Sequence, residues 1–288
     1  MRHRSKSGDS SETAGGVNLF ARPAQLRLFV ALGCAALAVL ALTTPALGDE
    51  KRTGASDTFR VATFEWAPFF FRDNRGEPAG LEYAILSSFA RARSLSLEVV
   101  WVEDFSEVIP AMLNGEADIA AATLTITAER LKSMDFSGPY FPTQLVLIRQ
   151  DGAVDDVLAG EKIVTIVGTT YEQYALGLSD VEVIYVETET EMFDAVASGR
   201  ADALATDSSD YLSLGPSYPG LRIVKLLSKR EFYGFALPLD DPLTGPLTTH
   251  IEELFSRGTY WSFVEQAFGP IAAGFSEKEK AGFLAEKR

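Results

Sequence analysis

Cysteine and histidine are nearly absent from this chain, which has Cys34, His3 and His250 and no others. A single thiol excludes a disulfide framework, so the fold must be held by core burial. Two histidines far apart in sequence exclude multi-histidine metal sites, and a Ser-His-Asp or Cys-His nucleophile would have to run through His250. No GxGxxG, P-loop or EF-hand pattern is present, so neither a cofactor nor a metal is expected. Positive charge is also scarce: 26 Lys and Arg face 40 Asp and Glu, a net charge of −14. Such a chain repels nucleic acid and anionic lipid, which excludes both as expected partners. Long apolar runs are lacking too, apart from LFVALGCAALAVLAL at 28–42, which is shorter than the roughly 20 residues of a membrane span.

That run sits in a segment unlike the rest. A basic, Ser- and Gly-rich start leads to Arg27, and the apolar run then meets TTPALGDE. This is the order of a secretory signal, with cleavage expected after Gly48 in the Ala46-Leu47-Gly48 context. Residues 1–48 are therefore predicted to direct export to a periplasm or cell surface. An uncleaved anchor is the alternative. Cys34 lies inside the apolar run with Ala31 where a lipobox prefers Leu, which argues against lipidation.

With 47% hydrophobic residues, the chain can form one or two domains with real cores. From Phe59 onward, short β-like runs alternate with helical periodicity. FRVATFEW (59–66), LEVVWVE (97–103) and ADIAAAT (117–123) read as strands, and GLEYAILSSFARARS (80–94) and DFSEVIPAMLNG (104–115) as helices. Asp104 and Glu107 have capping-box spacing. The plan repeats with strands at 161–168, 181–187 and 201–207 and helices at 169–178 and 188–199. An extended stretch at 230–238 and one or two helices within 241–269 follow. This alternation predicts an α/β fold with mostly parallel sheets covered by helices.

LNGEADIAAAT (113–123) and ASGRADALATD (197–207) align without gaps, sharing Gly-x-Ala-Asp before an apolar strand. The match reads as one βα unit used once in each of two lobes. Thr123 and Asp207 then occupy equivalent carboxyl ends of strands, the edge at which open α/β sheets bind ligands. After the first of these strands comes LTITAERLKSMDFSGPYF (124–141). Arg130 falls in the opening turn of an expected short helix, where a cation opposes the helix dipole at a cost of up to about 1 kcal/mol. Thr127 is the expected N-cap. Thr123, Thr125 and Arg130 together suit a carboxylate, which Arg engages through two parallel charge-assisted hydrogen bonds. The alternative is a salt bridge from Arg130 to Glu129 or Asp135. Asp207 either caps the next helix or accepts from a ligand ammonium. Arg130 and Asp207 facing each other would complement a zwitterion. Gly168, Thr169 and Thr170 form a strand-to-helix turn that either closes on the same carboxylate or is an ordinary turn. Trp66 and Phe105 each follow a strand and either flank a ligand side chain or belong to the core. Phe69–Phe71 read as core. Glu65 either reads a basic ligand group or is solvated.

LTITAERLKSMDFSGPYF resembles the TxTxxR…DFSxPYY signature of bacterial extracellular solute-binding proteins of family 3, the polar amino-acid receptors of ABC transporters. AGLEYAI, DFSEVIPAMLNGEADIAAA, VGTT, ADALATD and GTYWSFVEQAFG extend the resemblance over about residues 57–269. It implies a two-lobed type II periplasmic-binding-protein fold, with lobe one at 57–147 plus 235–288 and lobe two at 148–234. A two-stranded hinge is expected around 145–150 and 231–238. It further implies that Arg130 holds a ligand α-carboxylate with help from Thr125, that Asp207 holds the α-ammonium, and that Trp66 and Phe105 flank the side chain. The implied protein is a monomeric, non-catalytic receptor delivering a small zwitterion to a membrane permease. Three features depart from the pattern: Glu82 replaces an aspartate, and Ile166 and Val167 stand at positions often polar. GLEY and ATDSSDYL are also similar to the binding-protein-like half of membrane-bound murein transglycosylases, so an envelope-anchored sensory or murein-fragment module is a second expectation. Periplasmic cyclohexadienyl dehydratases share the fold and use a glutamate matching Glu172, a third.

Overall fold

The computed structural model describes residues 57–274, with side chains to residue 272. The expected signal segment 1–48, Cys34 and the last part of the expected first lobe lie outside these residues.

The chain opens with strand β1 (Thr58–Thr63), a short hairpin of β2 (Phe71–Arg72) and β3 (Pro78–Ala79), and helix α1 (Leu81–Ala92). Strand β4 (Ser96–Trp101), helix α2 (Phe105–Leu113) and strand β5 (Ile119–Ala120) follow. Asp104 caps α2, and its backbone N–H donates to the Glu107 carboxylate at 3.4 Å, the capping box expected from the spacing. Strand β6 (Asp135–Phe136) and strand β7 (Phe141–Thr143) complete the first pass. The second half runs β8 (Leu145–Gln150), β9 (Lys162–Thr165), α3 (Thr170–Leu176), β10 (Glu182–Tyr185), α4 (Glu189–Ala197), β11 (Ala203–Asp207), α5 (Ser208–Leu214) and β12 (Leu221–Leu226). Strands β13 (Glu231–Tyr233) and β14 (Ala236–Leu237) lead to helices α6 (Thr244–Ser256) and α7 (Thr259–Phe268).

Two five-stranded sheets result, in the orders β4-β1-β5-β14-β6 and β10-β9-β11-β8-β12. They match strand for strand. In each, the first three strands are parallel and the fourth runs against both neighbours, so four of five strands share a direction. The aligned Gly-x-Ala-Asp segments lead into β5 and β11, the third strand of each sheet. Each sheet is the centre of one lobe of an α/β protein.

Strand β7 pairs antiparallel with β13, and these two strands connect the sheets. The connection expected around 145–150 lies earlier in the chain, because LVLIRQ pairs with both β11 and β12 and is wholly a sheet strand. Buried residues along α1 (Leu81, Ile85, Leu86, Phe89) and along α7 (Tyr260, Val264, Phe268) recur at helical spacing and pack the first lobe. Phe69, fully buried, meets Phe141, Tyr233 and Phe268 edge-on at centroid distances of 5.0, 5.7 and 5.3 Å.

Candidate interlobe binding site

Beyond β5 the strand expected to reach residue 123 stops early. Thr123 takes a left-handed backbone (φ 49°), and its N–H donates to Glu82 Oε1 at 2.9 Å. Glu82 is fully buried and also accepts from the Tyr140 hydroxyl. Burial pushes its pKa up to about 7, against both hydrogen bonds. This network redirects the chain out of the sheet. Thr125 then forms a bridge with Tyr233 of β13, so the segment bearing Arg130 is pinned to a connecting strand.

Arg130 opens a single 3-10 turn, Arg130–Lys132, rather than an α-helix. The Thr127 hydroxyl accepts from the Arg130 N–H at 3.2 Å, but the N-cap position of the turn is Glu129 rather than the expected Thr127. Asp135 in β6 ends the turn, which leaves no room for a second one. The guanidinium donates from Nη1 to the Thr125 carbonyl at 2.9 Å and from Nη2 to the Gly168 carbonyl of the other lobe at 3.3 Å. Neither alternative salt bridge forms: Glu129 pairs with Lys132, and Asp135 accepts from the Asp240 N–H. Among the described residues Arg130 has no carboxylate partner. Burial lowers its pKa, opposed by Tyr171, Asp207 and Tyr233.

In the second lobe, Asp207 ends β11 and is the N-cap residue of α5. Its side chain is 2% exposed. The side chain caps α5 in a capping box with Asp210, and Oδ2 accepts from the Tyr233 hydroxyl at 2.7 Å, whereas Oδ1 is buried and makes no hydrogen bond. Desolvation, with the nearby Asp210 carboxylate, pushes its pKa up to about 8, opposed by Tyr233 and Arg130. A buried acceptor of this kind is costly to leave unmatched. Asp207 thus keeps one oxygen without a donor, and Arg130, whose charge is felt at Asp207, donates to carbonyls and to no carboxylate among the described residues.

The remaining expected residues divide by what their polar atoms already do. The Thr169 hydroxyl donates to the Ile166 carbonyl at 2.6 Å and accepts from the Glu172 N–H at 3.1 Å, so it caps α3. Thr170 is half-buried at the first position of that helix. Gly168 has φ 82°, and a Cβ there would stand 3.3 Å from Ser106 Cα and 3.4 Å from Ser106 Cβ. The lobes therefore meet closely at this turn. Phe105 lies on the first-lobe side of the same contact and packs edge-on against Phe64 at 6.5 Å. Trp66 is buried against the first lobe, and its indole N–H has no hydrogen-bond partner although it approaches the Asp210 carboxylate. Glu65 is exposed and paired with Arg72 at 2.6 Å. A groove of about 1060 Å³ between the lobes is lined by Phe105, Ile166 and Val167 together with several carboxylates.

Tyr233, Glu82, Asp210, Glu189 and Tyr171 were not legible as site residues. Asp210 had one signal, its capping-box spacing to Asp207. The others join the site through contacts between distant segments.

The family described as bacterial extracellular solute-binding proteins, family 3, matches residues 59–270. A probable histidine-binding protein of Neisseria gonorrhoeae is 30% identical over 78% of this chain and 91% of its own length. An L-arginine-binding protein of Pseudomonas aeruginosa is 28% identical over 82% of this chain and 95% of its own. The solved structure of an ancestral arginine-binding protein bound to arginine superposes with a TM-score of 0.66 at 30% identity, covering 74% of this chain and 99% of that one. The shared two-lobed architecture, with a sheet in each lobe and two connecting strands, agrees with these likenesses. The chain belongs to the bacterial extracellular solute-binding proteins of family 3.

Proposed function

We propose that this protein is an extracytoplasmic receptor that captures a free amino acid between its lobes and hands it to the membrane permease of an ABC transporter. The first lobe carries the sheet of β1, β4, β5, β6 and β14 with α6 and α7, the second lobe carries the sheet of β8 to β12, and the protein acts as a monomer exported by residues 1–48. The ligand carboxylate docks on Arg130, with the backbone around Thr123, Thr125 and the Gly168-Thr169-Thr170 turn beside it. The ligand ammonium docks on Asp207, and Trp66 and Phe105 flank the side chain. The observation that carries this reading is the pairing of unmet demands: a guanidinium without a carboxylate on one lobe and a buried orphan Oδ1 on the other. Relatives named for binding histidine and arginine support an amino acid as the ligand. Closure follows only from contacts that are better in the closed state than in the open one.

The protein acts without catalysis in this reading. The Glu172 carboxylate accepts from the Gly168 N–H at 2.8 Å, which commits it to holding the turn. A thermal-shift screen of the common amino acids tests the proposal, because a bound ligand stabilises by mass action. At least one amino acid should raise Tm in a concentration-dependent way, and Arg130→Ala should abolish the shift. No shift with any amino acid, or turnover of prephenate by the purified protein, overturns it.

A further inference from the structure

The carboxyl edge of the second sheet holds more carboxyl groups than one ligand ammonium can answer. Strands β10, β9 and β11 are parallel neighbours, so their carboxyl ends lie side by side. Thr165 is the last residue of β9, Asp207 the last of β11, and Glu189 opens α4 just after β10. Each has a buried polar atom without a partner: Thr165 Oγ1, Asp207 Oδ1 and Glu189 Oε2. Thr165 is fully buried and Glu189 is 4% exposed. Asp210 completes the group, accepting from Thr206 Oγ1 at 2.5 Å and from the Asp207 N–H at 3.3 Å. Among the described residues no lysine or arginine pairs with Glu189 or Asp210.

A helix-stabilising role does not account for Glu189. A carboxylate in the first turn favours the helix dipole from solvent without being buried. Glu191, exposed in the same turn, already does this and accepts from the Glu187 N–H at 2.9 Å. Burial of Glu189 therefore carries a desolvation cost that the helix alone does not return. The interlobe groove that Phe105, Ile166 and Val167 border, which does not itself reach Glu189 or Asp207, has the same sign: it is lined by Asp104, Glu187, Glu191 and Asp194 against a single Arg200. A field of that kind concentrates cations at its mouth.

We propose that Glu189, with Thr165 and Asp210 beside it, forms a second cation subsite in the second lobe, so that the captured amino acid has a positively charged side chain. The inference rests on the amino-acid reading above and deepens it by naming the side-chain class. Arg130 answers the ligand carboxylate and Asp207 its ammonium. Glu189 then receives the side-chain cation, and Thr165 Oγ1, a hydroxyl able to accept, shares its N–H groups. A neutral isostere leaves the buried acid without a counter-charge and binds less well for that reason.

The test is calorimetry on the purified protein with two probe pairs, L-arginine against L-citrulline and L-lysine against L-norleucine. The cationic member of at least one pair should bind about tenfold or more tightly than its neutral partner. Glu189→Gln, nearly isosteric, should collapse that ratio to about twofold, because the cationic member loses its counter-charge and the neutral member no longer leaves a buried acid unpaired. Neutral members binding as well as cationic ones in the wild-type protein, or an unaltered ratio in a folded Glu189→Gln, overturns the second subsite. Binding confined to amino acids whose side chains carry no positive charge overturns it as well, and in each of these cases the amino-acid reading stands. Absence of binding by every amino acid overturns both. The wild-type ratio decides the matter even if the variant fails to fold.

Discussion

The Tyr233 hydroxyl donates to Asp207 Oδ2 at 2.7 Å, joining a connecting strand to the carboxylate at the end of β11. The same hydroxyl lies 2.6 Å from Ser209 Oγ, and the Tyr233 ring packs on Phe69 of the first-lobe core. One oxygen of Asp207 is thereby fixed and the other left free. The orientation of the acid is thus tied to the strands that link the lobes.

Tyr233→Phe tests that tie. It keeps the ring packing and removes two hydrogen bonds, the one from Ser209 Oγ and the one to Asp207, the latter an interaction of about 1.5–3 kcal/mol. Ligand affinity should fall about tenfold or more, with Tm changed by only a few degrees. Calorimetry beside a thermal melt separates the two effects.

Arg130→Ala should weaken ligand binding at least about a hundredfold, since losing one partner of a buried pair typically costs about 3–5 kcal/mol. Arg130→Lys should recover little. A lysine ammonium cannot donate in parallel to two carboxylate oxygens while keeping the Thr125 and Gly168 carbonyl contacts. Equilibrium binding of both variants is the measurement.

Gly168→Ala acts on lobe contact. The added methyl meets Ser106 at 3.3–3.4 Å on a backbone with φ 82°, where an L side chain is itself disfavoured by roughly 1 kcal/mol. The variant should keep its fold but bind ligand about tenfold more weakly. With saturating ligand its radius of gyration by small-angle scattering should exceed that of the wild type.

Glu82 sets a pH dependence whose sign is definite. Burial raises its pKa to about 7 in the folded protein, above the usual carboxylate value, so the folded state holds a proton that the unfolded chain releases. The resulting stability is fully present below the unfolded value and is lost as pH rises through about 7. Asp207, Asp210 and Glu189 are raised by burial and by one another and act in the same direction. Tm of the ligand-free protein should therefore fall between pH 5 and pH 8. Glu82→Gln, whose amide oxygen still accepts from the Thr123 N–H, should make that fall shallower.

The fold was readable because its determinants are local. Apolar spacing marked α1, α2 and α4, the Asp104–Glu107 pair marked a helix start, and the repeated Gly-x-Ala-Asp segment marked the equivalence of β5 and β11. Arg130 and Asp207 stood out on local grounds too, Arg130 as a cation in the opening turn of an expected helix and Asp207 as a charge at the end of an apolar strand. What the tertiary structure decided lies in contacts between segments far apart in the chain. Thr123 leaves its strand early because Glu82, 41 residues away, captures its N–H. Asp207 is oriented by Tyr233, 26 residues away, and Thr165, Glu189 and Asp207 become neighbours only when β10, β9 and β11 pair. Local periodicity records which face of an element is buried. Which polar atoms are left without partners after burial depends on how the sheets assemble and the lobes meet, and that is a property of the folded chain.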